Sequence, residues 1–96
     1  MNVYISGKIT GLPIEEARHY FVEAAKHLQS QGHTPCDPML HVPFNEDWQW
    51  SDYMKADIKM LLNCDAIFML RNWKDSRGAK IEHDLAFALE MNVMYQ

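Results

Sequence analysis

Two acids in this sequence stand where helix periodicity places core residues. In DSRGAKIEHDLAFAL, Asp75 to Leu89, a helix opening near Gly78 and advancing about 100° per residue sets Glu82 in the middle of the apolar arc. Leu89, Ala86 and Ala79 flank it on one side, Leu85 and Ile81 on the other, while Lys80, His83, Asp84 and Glu90 take the opposite face with Phe87. In the preceding helix, Asp57 falls at the edge of a stripe of Met54, Ile58, Leu61 and Leu62. Carboxylates are rarely buried without a partner. Each acid is therefore either a satisfied structural group, Glu82 at a helix start and Asp57 against a Lys or Arg, or a group whose chemistry needs a poorly solvated site. Two together shift the balance towards function.

Other residues around these acids carry two readings each. Ser76, Arg77 and Gly78 supply a hydroxyl, a cation and a flexible joint just before a helix start, where unsatisfied N–H groups welcome an anion; they also read as an ordinary loop with Ser76 as N-cap. The first loop, SGKITG, places Gly7, Lys8 and Ile9 after the first strand. It matches neither GxGxxG nor the Walker spacing ending in GK[ST], so it carries no dinucleotide or ATP fingerprint. Tyr4 points to one face of the sheet and reads as core with its hydroxyl at a rim. Trp48 and Trp50 alternate in a long loop, where they could stack on a base or close a lid or an interface. His33, Cys36 and His41 match no established zinc spacing, so neither a metal nor another cofactor is expected. Cys36 and Cys64 read as reduced thiols and small buried hydrophobes.

The elements that must position these residues alternate in type. NVYIS, Asn2 to Ser6, is a first strand; Pro13 suits the first position of a helix, with Ala17, Tyr20, Phe21, Ala24, Ala25 and Leu28 as its buried stripe up to Gly32. HTPCDP holds a short second strand, followed by a long connection interrupted by Pro38 and Pro43. Ser51 can cap the second helix, DAIFML is a fully buried strand, the third helix follows, and NVMYQ is the last strand. This order predicts a parallel α/β sheet with right-handed crossovers. Ligands in such sheets bind beyond the carboxyl ends of the strands, where the strand order reverses.

Composition limits the function classes. The 96 residues form one domain, 1–96, of ordinary globular make-up, with 48% hydrophobic and 23% charged residues. So small a chain buries only about 60% of its unfolded surface, which makes association with a second copy a natural source of buried area. A formal charge of −4 leaves no basic stripe for nucleic acid, although a few local cations suffice for a small anion. There is no signal peptide and no apolar run long enough to span a membrane, so no membrane partner is expected and the expected location is the cytoplasm.

Taken together, YISGKITG, DYMKADIKMLLNCDAIFML and the S-x-G-x-x-x-E of Ser76, Gly78 and Glu82 before an alanine-rich helix resemble the nucleoside 2-deoxyribosyltransferase superfamily, and within it the small phage- and bacterium-associated DUF4406 branch. The resemblance covers nearly the whole chain. It implies a flavodoxin-like, doubly wound parallel sheet of about four strands flanked by helices, and chemistry at the N-glycosidic bond of a deoxynucleoside or its 5′-monophosphate. By position, Glu82 matches the nucleophile that attacks C1′, Asp57 the aspartate that handles the proton of the departing base, and Tyr4 the tyrosine that holds the nucleophile. Gly7 and Ile9 match the loop against the base. Base-exchanging members tend to carry an acid where this chain has Ser76, whereas nucleotide-hydrolysing N-glycosidases resemble it in carrying serine beside the phosphate. Members complete each site with a residue from the C-terminal region of a neighbouring subunit; the sequence ends at Gln96, so the expectation is a homo-oligomer in which that contribution is missing or comes from elsewhere, such as the Trp48 and Trp50 loop.

The implied chemistry follows the logic of retaining glycoside hydrolysis, with a covalent glycosyl-enzyme intercepted by water or by a second base. Glu82 must ionise, which Tyr4 and the helix start would favour, while burial keeps a proton on Asp57. Two further readings stay open: a nucleotide-binding protein or sensor that keeps the pocket without turnover, and an interaction module using the Trp48 and Trp50 loop.

Overall fold

The computed structural model describes residues 1–96. Four strands, β1 (Asn2–Ser6), β2 (Thr34–Cys36), β3 (Ala66–Met69) and β4 (Asn92–Tyr95), form one parallel sheet in the order β2-β1-β3-β4. Tyr4 is in register with Cys36 on one side and Ile67 on the other. The helices are α1 (Ile14–Ser30), the short α2 (Pro38–His41), α3 (Trp50–Leu62) and α4 (Arg77–Ala88), with one 3₁₀ turn at Trp73–Asp75. The first crossover runs from β1 outward to β2, and the second returns past β1 to β3. Right-handed connections in opposite directions must lie on opposite faces. The architecture is therefore a doubly wound α/β sheet of the flavodoxin-like kind.

Side-chain alternation along the two central strands builds two cores. Val3, Ile5, Ala66 and Phe68 pack with Phe21, Ala24 and Leu28 of α1 on one face. Tyr4, Ile67 and Met69 pack with Leu61 of α3 and with Ala79 and Ala86 of α4 on the other. Burying side chains of this size is worth about 1.5–3 kcal/mol each, so β1 and β3, buried on both faces, anchor the fold.

Several local expectations are corrected. Pro13 is the N-cap residue of α1 rather than its first helical residue, and Tyr20 lies outside the buried stripe, its hydroxyl donating to Glu16 at 2.9 Å. Helix α3 begins at Trp50, not after Ser51: Gln49 is the N-cap, its backbone N–H donating to Asp52 Oδ2 at 2.9 Å. Leu62, Ile81 and Leu89 are exposed, because the single sheet face they share is already covered by Leu61, Ala79 and Ala86. The two cysteines are free but only half-buried; they lie beside one another, and burial pushes the Cys64 thiol up to about 12. No helix is long and apolar enough to cross a membrane.

Candidate active site

The strand order reverses at β1, and a cleft of about 940 Å³ opens beyond the carboxyl end of this strand, where ligands bind in doubly wound sheets. The cleft runs from α3 and α4 on one face, with Asp57, Arg77 and Glu82, over the end of β1 to Ile14 and Arg18 of α1 and Met39 of α2 on the other.

Glu82 lies on the floor of this cleft and is only 4% exposed. The residues of α4 that face the sheet are Ala79, Glu82 and Ala86. One alanine on each side, Ala79 and Ala86, lets the helix approach closely enough for the carboxyl group to reach β1. There the Tyr4 hydroxyl donates to Oε2 at 2.6 Å and the Ser6 hydroxyl donates to Oε1 at 2.7 Å. Successive strand side chains alternate in direction, so Tyr4 and Ser6 share the face that α4 covers. Glu82 is the sixth residue of α4, beyond the first turn in which the helix dipole acts on a charge. The expected support from the helix start is thus supplied by Ser6 instead.

Electrostatics set the two acids apart from ordinary carboxyls. Burial raises Glu82 to about 7, opposed by the hydrogen bonds from Tyr4 and Ser6 and reinforced by the charge of Asp57. Burial also raises half-buried Asp57, to about 6. The Tyr4 hydroxyl is pushed well above its usual range by burial, then by the charges of Glu82 and Asp57. Both carboxyl groups are thus raised mainly by burial, so each keeps its proton to higher pH than an exposed carboxyl does. Desolvation of the more deeply buried Glu82 outweighs its two donors.

The start of α4 closes one end of the cleft. Ser76 is the N-cap, its Oγ accepting the Ala79 N–H at 3.1 Å. Its own hydroxyl proton is left to donate elsewhere. Gly78 lets α4 meet α3: a Cβ there would stand 2.9 Å from Met54 Sδ. Arg77 lies over the indole of Trp50, 4.1 Å from the ring centroid, an arrangement that holds a guanidinium in a fixed orientation. Gly7 is pressed on Leu70, whose Cβ and Cγ would lie 2.8 Å from any added Cβ.

Of the residues singled out in the sequence, Tyr4, Gly7, Ile9, Trp50, Asp57, Ser76, Arg77, Gly78 and Glu82 all line this cleft. Lys8 and Trp48 do not. The Lys8 backbone N–H donates to Asn72 Oδ1 at 3.0 Å and its side chain borders a smaller groove with Arg71 and Gln96. Trp48 packs edge-on against Tyr53, with ring centroids 5.0 Å apart. Sequence reasoning missed Ser6, although strand alternation from Tyr4 points to it, and Arg18, which falls on the face of α1 that carries Ile14 and Phe21. It also passed over Asp37, a buried acid whose Oδ1 caps α2 through the Met39 N–H at 2.9 Å. No three or more His, Cys, Asp or Glu side chains gather where they could hold a metal ion.

Comparison with solved structures identifies the same fold elsewhere. The 2-deoxyribosyltransferase of the psychrotolerant bacterium Bacillus psychrosaccharolyticus superposes with a TM-score of 0.74 at 22% identity, covering 99% of this chain and 71% of the other. The 2-desoxiribosyltransferase of Leishmania mexicana gives 0.71 at 19% identity, over 98% of this chain and 62% of the other. A conserved protein of Enterococcus faecalis V583 gives 0.73 at 19% identity, over 99% and 62%. This chain thus spans less than two thirds of the length of the last two. No curated protein matches it. A family model described as a domain of unknown function, DUF4406, matches residues 1–95, and the chain belongs to that family.

Proposed function

We propose that this protein cleaves the N-glycosidic bond of a deoxynucleoside or deoxynucleoside 5′-monophosphate, with Glu82 as nucleophile. The observation that carries this reading is the buried Glu82 carboxyl, fixed through both oxygens by Tyr4 and Ser6 in a cleft that also holds Asp57. The 2-deoxyribosyltransferase fold of its structural neighbours supports it. A Glu82 oxygen forms a bond to C1′ as the bond from C1′ to the base nitrogen breaks. Asp57 gives its proton to the departing base. The glycosyl ester is then resolved by water, which gives hydrolysis, or by a second base, which gives transfer. Acid assistance of this kind contributes about 10²–10⁴-fold. Ser76 and Arg77, at the end of the cleft next to Glu82, favour a 5′-monophosphate as ligand, because a hydroxyl donor and an oriented guanidinium both suit phosphate oxygens.

One feature favours a second reading, a nucleotide-binding protein without turnover: burial raises the proposed nucleophile to about 7, so that near neutral pH much of it is protonated. Incubation with a panel of deoxynucleosides and their monophosphates, following free base by chromatography, separates the two. Release by wild type that Glu82→Ala abolishes supports the enzyme; binding without release supports the sensor.

A further inference from the structure

Five aromatic side chains line the cleft, and four of them are already engaged. Tyr4 and Phe21 are buried in the two cores. Trp50 carries Arg77 over its ring. Tyr53 holds Trp48 edge-on and spends its hydroxyl on the backbone of Asn45, accepting from the N–H and donating to the carbonyl at 2.8 Å each. The fifth, Phe44, is 85% exposed. A lone exposed phenylalanine is ordinary on a protein surface, but the backbone of this one is held. Before it, the Val42 N–H donates to the Pro38 carbonyl at 2.9 Å, and the ring of Pro43 restricts the chain. After it, Tyr53 clamps Asn45. The chain is pinned on both sides of a ring left open to the cleft.

The clamp also sets where that ring stands. Tyr53 lies one helical turn before Asp57 on α3, on the same side of the helix, and both line the cleft. Asp57 is the acid that meets the departing base in the glycosidic reading above, on which this inference rests. A base within reach of Asp57 therefore lies beside the segment that Tyr53 holds. We infer that Phe44 is the base-stacking residue of this site, and that Tyr53 is a positioning residue that presents the Phe44 ring through the backbone of Asn45. The stacking role open to Trp48 and Trp50 in the sequence passes to Phe44, because Trp48 is taken by Tyr53 and Trp50 by Arg77. Stacking is sequence-tolerant, since every base has a π-face; it contributes affinity for the base and none for the sugar phosphate.

Calorimetric titration in a Glu82→Gln background, which keeps the ligand intact, tests this with two ligands: a purine deoxynucleoside 5′-monophosphate and 2-deoxyribose 5-phosphate, which has no base. Phe44→Ala weakens the nucleotide about tenfold, the scale of one base–aromatic contact, and leaves the sugar phosphate unchanged. Phe44→Tyr restores the affinity, whereas Phe44→Leu, apolar but not planar, does not. Tyr53→Phe keeps the ring against Trp48 and removes only the clamp; it weakens the nucleotide about threefold, the scale of a neutral hydrogen bond, and adds nothing to Phe44→Ala. Equal losses for both ligands, no loss with Phe44→Ala, or full affinity with Phe44→Leu overturns the inference and leaves the glycosidic reading, which base release by wild type decides separately. Absence of nucleotide binding to both the Glu82→Gln and the wild-type protein overturns both.

Discussion

Tyr4 and Glu82, 78 positions apart in the chain, meet in a hydrogen bond of 2.6 Å beneath the cleft. The contact joins the first strand to the last helix, and it exists because β1 occupies the centre of the sheet while α4 crosses the face on which Tyr4 points. It ties the stability of the fold to the ionisation of the proposed nucleophile.

That link predicts a pH-dependent stability. Glu82 rises from 4.5 to about 7 on folding. As pH increases, the unfolded chain therefore loses this proton first, and stability falls across that window. The rise corresponds to about 3 kcal/mol, absent below the unfolded value and full above the folded one. Urea unfolding of Glu82→Gln at a series of pH values tests it: the variant gains on wild type as pH rises from about 5 to 8, and a constant difference contradicts the assignment.

A second pH effect concerns turnover. The productive form has Glu82 ionised and Asp57 protonated, and with the two groups raised to about 7 and about 6 turnover is carried by the singly protonated pair. The rate of base release should therefore follow a bell with its maximum between these values, and Asp57→Asn should remove the alkaline limb while lowering the maximum.

Arg77 and Trp50 should act as a unit. Arg77→Met is expected to weaken binding of a deoxynucleoside monophosphate about tenfold or more, the scale of one charge-assisted hydrogen bond, and to leave the corresponding nucleoside nearly unaffected. Trp50→Ala, which removes the surface on which the guanidinium rests, should shift the same ratio in the same direction. Calorimetric titration with the two ligands measures both.

Gly7→Ala should cost stability through crowding alone. The new methyl would meet both Cβ and Cγ of Leu70 at 2.8 Å, and Leu70 is itself buried, so neither side can yield freely. Overpacking of this kind costs about 1–3 kcal/mol. A lowered urea midpoint with an unchanged slope is the expected result.

Much of this protein is readable from local periodicity. Alternating elements gave the parallel sheet, and the phase of the last helix turned Glu82 inward before any neighbour was known. Periodicity fixes which way a side chain leaves its own element, and both Glu82 and Tyr4 follow it. What it does not carry is the identity of the group met on the other side, since that depends on strand order and on which face each crossover takes. Only the tertiary structure could pair Glu82 with Ser6 instead of its own helix start, set Arg77 on Trp50, and send Trp48 to Tyr53 and Lys8 away from the cleft. The extent to which Asp57 and Glu82 are raised was likewise decided in three dimensions, because desolvation depends on everything packed around a carboxyl group and not on its neighbours in sequence.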